Sequence, residues 1–130
     1  MPMSDAELLE AARQASKRAY CEYSNFPVGA ALLTEDGKLF SGCNVENASY
    51  GLSICAERAT VFAAVATGVR RIHRMAVSCP KGDTARPATL MPCGACRQVL
   101  AEFATPDFTI VIDGVGTLTM AEILPQPFKL

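Results

Sequence analysis

No stretch of this 130-residue chain comes near the roughly 18 to 20 consecutive apolar residues that a membrane-crossing helix requires, so no such span is expected. Charge of one sign is lacking too: 12 Lys+Arg stand against 13 Asp+Glu, a net charge of -1, without a long basic or acidic block. Proteins that grip a polynucleotide backbone carry a basic excess or stripe, because neutralising phosphates drives that binding. A nucleic acid polymer is therefore not an expected partner. Only 9 Gly and 8 Pro accompany 50% hydrophobic residues, which excludes disordered, collagen-like and low-complexity classes. The opening residues, Met1 to Glu7, show neither a basic n-region nor an apolar h-region, so no secretory signal is expected and the cytoplasm is the expected compartment. Histidine is nearly absent. His73 is the single one, read as a surface or capping residue rather than a metal ligand.

The length fits one hydrophobic core, and residues 1–130 read as a single domain without linker or repeat. Ser4 and Glu7 form a capping-box pattern, followed by Leu8, Leu9, Ala12, Ala15 and Ala19 at helical spacing, which predicts a helix ending near Tyr20. Pro27 to Thr34 and Leu39 to Val45 are short apolar runs joined across Asp36-Gly37, a β-hairpin signal. Ile54 to Thr67 is an Ala-rich helix closed by Gly68. A strand over Arg74 to Cys79, a Pro-rich loop over 80–92, and a helix from about Cys93 to Phe103 follow. Phe108 to Ile112 is a β-branched strand, and Thr119 to Leu124 a last short helix stopped by Pro125. The order αββαβαβα predicts an α/β protein, a three-layer α-β-α sandwich around a central mixed sheet.

Cysteine, by contrast, is plentiful: Cys21, Cys43, Cys55, Cys79, Cys93 and Cys96. In a chain with an ample core and no secretion signal, reduced thiols or metal ligands are expected over disulfides. Pro92-Cys93-Gly94-Ala95-Cys96 places two thiols at the start of a predicted helix, where unpaired N–H groups and the helix dipole favour thiolates. Alone, C-x-x-C fits a redox dithiol, half of a structural zinc site or half of a catalytic one. Cys55-Ala56-Glu57 opens another predicted helix and supplies a third thiolate with a carboxylate beside it. Three protein ligands leave one tetrahedral position open for water, the arrangement of a catalytic zinc site. Cys21, Cys43 and Cys79 sit among apolar or small neighbours and read as small buried hydrophobes.

Cys-x-Glu followed downstream by Pro-Cys-x-x-Cys resembles the zinc deaminase signature, with Cys in place of the common His. The likeness is to the small homotetrameric cytidine deaminases, of the cytidine and deoxycytidylate deaminase family, and extends along most of the chain: Tyr23 to Ala31, Gly42 to Tyr50, Cys55 to Arg58 and Pro92 to Gln98. Met91 departs from the Ser that many relatives carry before the Pro, which bears on local loop packing. The resemblance implies that Cys55, Cys93 and Cys96 hold one Zn²⁺ per subunit, that zinc-bound hydroxide attacks C4 of the pyrimidine, and that Glu57 shuttles protons. It implies Asn44 and Glu46 as the pair that hydrogen-bonds the ribose, Phe26 as the aromatic against the base, and the backbone of Ala56 and Cys93 as contacts of the base amide. Ala48, Tyr50 and Phe128 resemble residues contributed across a subunit boundary of a homotetramer. The implied activity is hydrolytic deamination of cytidine and 2′-deoxycytidine in pyrimidine salvage. A structural zinc module without catalysis, or a deaminase of another aminopyrimidine compound, is the alternative. Zinc brings the pKa of bound water toward ~7, yet three thiolates and Zn²⁺ sum to -1, which opposes forming hydroxide. Arg58, next to Glu57 in the chain, is the residue expected to offset that charge, with help from the helix N-terminal amides.

Overall fold

In the computed structural model, which describes residues 3–130, Ser4 caps the first helix, α1 (Asp5–Ser16): its hydroxyl accepts from the Glu7 N–H at 3.1 Å and the Glu7 carboxylate accepts from the Ser4 N–H at 3.0 Å. Met1 and Pro2, the first residues of the stretch read for a targeting signal, lie outside the described residues. The helix ends at Ser16 rather than near Tyr20. Tyr20 is drawn off helical geometry because its N–H donates to the Asn44 carbonyl (3.0 Å) and its carbonyl accepts from the Glu46 N–H (2.8 Å). A tertiary ladder thus outcompetes the helical spacing of Ala15 and Ala19.

The hairpin forms as expected, somewhat trimmed: β1 (Gly29–Thr34) and β2 (Leu39–Cys43) are antiparallel, and the turn between them needs a left-handed residue, supplied by Gly37 at φ +87°. Helix α2 (Ala56–Ala66) ends in a Schellman motif, with the N–H of Gly68 (φ +103°) donating to Val65 and that of Val69 to Ala64. Then come β3 (Ile72–Ser78), a loop containing a 3₁₀ turn at Pro87–Leu90, α3 (Gly94–Phe103) and β4 (Ala104–Ile112), which begins four residues earlier than the Phe108 expected from its β-branched run. A further strand, β5 (Gly116–Thr119), pairs antiparallel with β4 and was not expected. Its signal is masked by Gly114 and Gly116, both at positive φ, which make the turn and the strand's first residue. Thr119 then caps the short α4 (Met120–Ile123) through a second capping box with Glu122.

The sheet order is β2-β1-β3-β4-β5, with β3 and β4 parallel and the other pairs antiparallel. Alternation along the strands divides the core into two layers. Ala31, Leu33, Ala76 and Val111 face α1 with its Leu8 and Ala12. Ala30, Leu32, Met75, Val77, Ile110 and Ile112 pack with Ala56, Val61 and Ala64 of α2 and Leu100 of α3 on the other face. This is the expected three-layer sandwich. No helix among the described residues is long and apolar enough to cross a membrane. The one parallel connection among the described strands, β3–α3–β4, sets the start of α3 beside the start of α2, and that juxtaposition makes the site.

Candidate active site

Cys55 is the N-cap of α2 and Cys93 the N-cap of α3, and neither side chain caps its own helix. Cys96 lies in the first turn of α3, fully buried. The three sulfurs meet: Cys55 Sγ is 3.8 Å from Cys93 Sγ, Cys93 Sγ is 3.4 Å from Cys96 Sγ, and all lie within 4.8 Å of one another. Tetrahedral zinc with bonds of about 2.3 Å sets its sulfur ligands about 3.8 Å apart. The spacing fits that ion and is too wide for a disulfide of about 2.05 Å. Cys21, Cys43 and Cys79 stand outside this cluster.

The thiols of the cluster sit in unequal surroundings. Hydrogen bonds from Cys96, then Arg58 and Cys93, outweigh burial and lower the Cys55 thiol to about 5. Cys96 is driven strongly the other way, first by its hydrogen bond to Cys55 and then by burial. A cationic side chain stands against the cluster. Arg58 Nη2 donates to Cys55 Sγ at 3.4 Å, its own pKa is raised by that hydrogen bond, and its buried Nε has no partner among the described residues.

Glu57 occupies the first turn of α2 and is 4% exposed. Burial, reinforced by the neighbouring Cys55 charge, lifts its pKa to about 7. It lines a cleft of about 410 Å³ together with Cys55 and Cys93, and with Phe26, Asn44 and Glu46 on the facing wall. Ala56 lines it as well, at the open N–H end of α2. Neither Lys nor Arg is among the described residues that line the cleft.

Asn44 and Glu46 prove to have a second occupation. Asn44 Oδ1 accepts from the Val28 N–H (2.9 Å) and its Nδ2 donates to the Phe26 carbonyl (2.9 Å). Glu46 Oε1 accepts from the Tyr23 and Ser24 N–H groups (3.1 and 3.0 Å), and Oε2 accepts from the Ser24 hydroxyl. Both side chains therefore clamp the 23–28 segment that carries Phe26. Each retains capacity toward the cleft, the second Nδ2 hydrogen of Asn44 and a further lone pair on Glu46 Oε2.

The remaining expected residues lie apart. Tyr50 is 75% exposed, meets Tyr23 edge-to-face at 6.0 Å, and lines with Glu46 and Ser53 a shallow extension of the cleft mouth. Ala48 is exposed and is not among the residues lining the cleft. Phe128 is 70% exposed on the outside of α3, away from its own chain's cleft. His73 reaches Asp107 at 3.5 Å on the surface, far from any ligand role. The structure adds Ser24, Cys79 and Met91 to the cleft wall. Cys79 had read as a plain buried hydrophobe; burial holds its thiol protonated, pushed up to about 12. Met91, expected to bear on loop packing, lines the cleft itself. Nothing in spacing alone distinguishes these from ordinary loop residues.

Three sulfurs and a buried carboxyl at two helix starts, on an α-β-α sandwich, define a zinc-site α/β protein. Residues 2–112 match the family model described as the cytidine and deoxycytidylate deaminase zinc-binding region. The chain belongs to the cytidine and deoxycytidylate deaminase family. It is 42% identical to a cytidine deaminase of Sporosarcina psychrophila over 98% of this chain and 93% of that one. With a cytidine deaminase of Mycobacterium tuberculosis it shares 44% identity over 100% and 94% of the two chains. A crystal structure of cytidine deaminase from Burkholderia pseudomallei superposes with a TM-score of 0.86 at 45% identity, covering 97% of this chain and 100% of that one.

Proposed function

We propose that this chain, as a single domain over residues 1–130, is a cytoplasmic zinc-dependent cytidine deaminase. It converts free cytidine and 2′-deoxycytidine, with water, to uridine or 2′-deoxyuridine and ammonia, in pyrimidine salvage. The observation that carries the reading is the single cleft that joins the three-sulfur cluster and buried Glu57 to Phe26, Asn44 and Glu46. The relatives named cytidine deaminases support it.

Cys55, Cys93 and Cys96 would hold one zinc per subunit, which when bound supplies Lewis acidity and lowers the pKa of water toward ~7. Glu57, with its pKa lifted to about 7, is matched both to accept a proton from water and to return it. Its carboxyl oxygen would pass that proton to ring N3, then take up the remaining proton of the hydroxyl added at C4 and deliver it to the 4-amino group, which leaves as ammonia. Phe26 packs on the pyrimidine, and the backbone of Ala56 and Cys93 meets the base amide. Asn44 and Glu46 take the ribose hydroxyl. With two carboxylates and neither Lys nor Arg among the described residues that line the cleft, the lining favours a neutral nucleoside over CMP.

Ala48, Tyr50 and Phe128, all exposed on one chain, are the residues a neighbouring subunit would contribute in a homotetramer of about 55 kDa, four times 13.8 kDa. The deciding experiment incubates the zinc-loaded protein with cytidine, 2′-deoxycytidine, CMP and cytosine and follows ammonia release. Turnover of the two nucleosides alone is expected; turnover of none, with zinc bound, makes the chain a structural zinc module.

A further inference from the structure

The motif around Phe26 contains a residue to which neither the chemistry nor the zinc site assigns a task. Ser24 sits on the exposed segment between the end of α1 and β1 and lines the cleft beside Glu46. Its hydroxyl is engaged twice. It donates to Glu46 Oε2, and it accepts from the Phe26 N–H at 3.1 Å. Its backbone N–H also donates to Glu46 Oε1 at 3.0 Å. Between Ser24 and Phe26 the chain passes through Asn25 in the left-handed region, φ +56°, which folds the segment back so that one hydroxyl reaches both groups.

The consequence is geometric. Glu46 Oε1 is filled by two backbone N–H groups, so the oxygen with capacity left for a ligand is Oε2, and Ser24 sets its direction. The same hydroxyl fixes the peptide of Phe26, the aromatic on that wall of the cleft. An oxygen that donates and accepts at once is required; an Ala methyl does neither, and a thiol is a weak donor with a longer reach.

We infer that Ser24 is a positioning residue that couples the sugar contact to the base contact, its hydroxyl aiming Glu46 Oε2 at the ribose hydroxyl while holding the Phe26 backbone in place. This rests on the reading of Glu46 as a ribose ligand, and the test separates the two. Zinc-loaded wild type, S24A, S24C, S24T and E46Q are compared on cytidine and on 2′,3′-dideoxycytidine, with zinc content and thermal midpoint measured alongside.

S24A is expected to raise KM for cytidine about tenfold, the scale of one lost hydrogen bond to a charged group, with kcat changed far less. On the dideoxy substrate, which offers Glu46 no ribose 2′- or 3′-hydroxyl, S24A should lose clearly less than on cytidine, through the Phe26 contact alone, so the preference for cytidine shrinks. S24C should behave like S24A, and S24T, which keeps the hydroxyl at an exposed position with room for a methyl, should recover wild-type preference. If S24A and S24C lose equally on both substrates, or S24T fails to rescue, Ser24 only maintains the loop and the inference is overturned. If E46Q also leaves the cytidine preference intact, the ribose reading of Glu46 falls with it; if E46Q abolishes the preference and S24A does not, the ribose reading stands and only the Ser24 inference fails.

Discussion

At the scale of single residues, the site is organised around opposed charges held in unequal surroundings. Glu57 is the group that burial lifts toward neutrality, whereas Glu46, with its hydrogen bond from Ser24, is held below the ordinary carboxylate range. Two glutamates of one cleft are thereby suited to different tasks, proton transfer for one and a fixed acceptor for the other. Glu57→Gln keeps the shape and the three sulfurs but removes the carboxyl proposed to carry the proton. Zinc content should stay at the wild-type level while turnover falls by at least roughly 10² to 10⁴-fold; near-full activity would take the proton shuttle away from Glu57. Cys93 and Cys96 were readable from spacing because positions three apart at a helix start share a face, whereas Cys55 and Glu57, on another helix, were joined to them through the resemblance. Ser24, Cys79 and Met91 were not readable, since they reach the cleft through loops whose path depends on tertiary partners. The clamp that Asn44 and Glu46 place on the 23–28 segment is hidden for the same reason: it joins side chains to backbone groups far away in sequence.

At the scale of elements, the question is what keeps α2 and α3 aligned over the sheet. Gly42 of β2 lies under α2, and a Cβ there would come within 2.6 Å of Thr60 Oγ1, 3.1 Å of its N and 3.3 Å of its Cα. Backbone cannot give way as a side chain does. Gly42→Ala should lift α2 from the sheet, costing roughly 1–3 kcal/mol as overpacking does, and should weaken zinc retention because the same helix carries Cys55. A melting curve and a competition assay with a chromophoric chelator measure both effects; an unchanged midpoint would mean that α2 shifts freely. Helix α1 is tied down differently. Arg13 donates to Asp113 through Nε (2.9 Å) and Nη2 (3.0 Å), and Ser78 of β3 donates to the same carboxylate at 2.9 Å. These bonds, Arg13 foremost, hold the Asp113 carboxyl below the ordinary range. A depressed folded-state pKa contributes stability that is complete above the unfolded value near 4 and fades as pH falls through the folded one. Arg13→Ala should therefore lower stability only slightly, given its exposure, with a gap to wild type that is constant from pH 7 to 5 and closes in stronger acid. A gap that persists there would assign the loss to packing of the arginine stem. The capping box of α1, the Asp-Gly turn and the Gly68 stop were legible in the sequence because each is a local device. Strand β5 and the early end of α1 were not, because pairing with β4 in one case and with the Asn44–Glu46 segment in the other decides them.

At the scale of the whole molecule, the tail is held in a defined place while its aromatic ring is left outside. Gln98 pairs both ways with the backbone of Phe128, Nε2 donating to its carbonyl at 3.1 Å and Oε1 accepting from its N–H at 3.0 Å. A ring 70% exposed on a fixed backbone is set for another surface, which is what the proposed tetramer supplies. Phe128→Ala should raise KM for cytidine with zinc content unchanged, and Gln98→Ala should do so more weakly by freeing the backbone; light scattering that finds a fully active wild-type monomer would sink the shared-site idea. The meeting of Cys55 with Cys93 has one more effect, on the path by which the chain finds this form. Their sulfurs bring together positions 38 apart in sequence, so an ion that Cys93 and Cys96 held early would act as a removable knot, capturing Cys55 and keeping α2 and α3 together while the sheet forms. Closing such a loop has its entropy cost offset by metal bonds before the sheet exists. Refolding from denaturant with zinc present at the start should then run faster than refolding in chelator with zinc supplied afterwards, and equal rates would place metal capture after the sheet has formed.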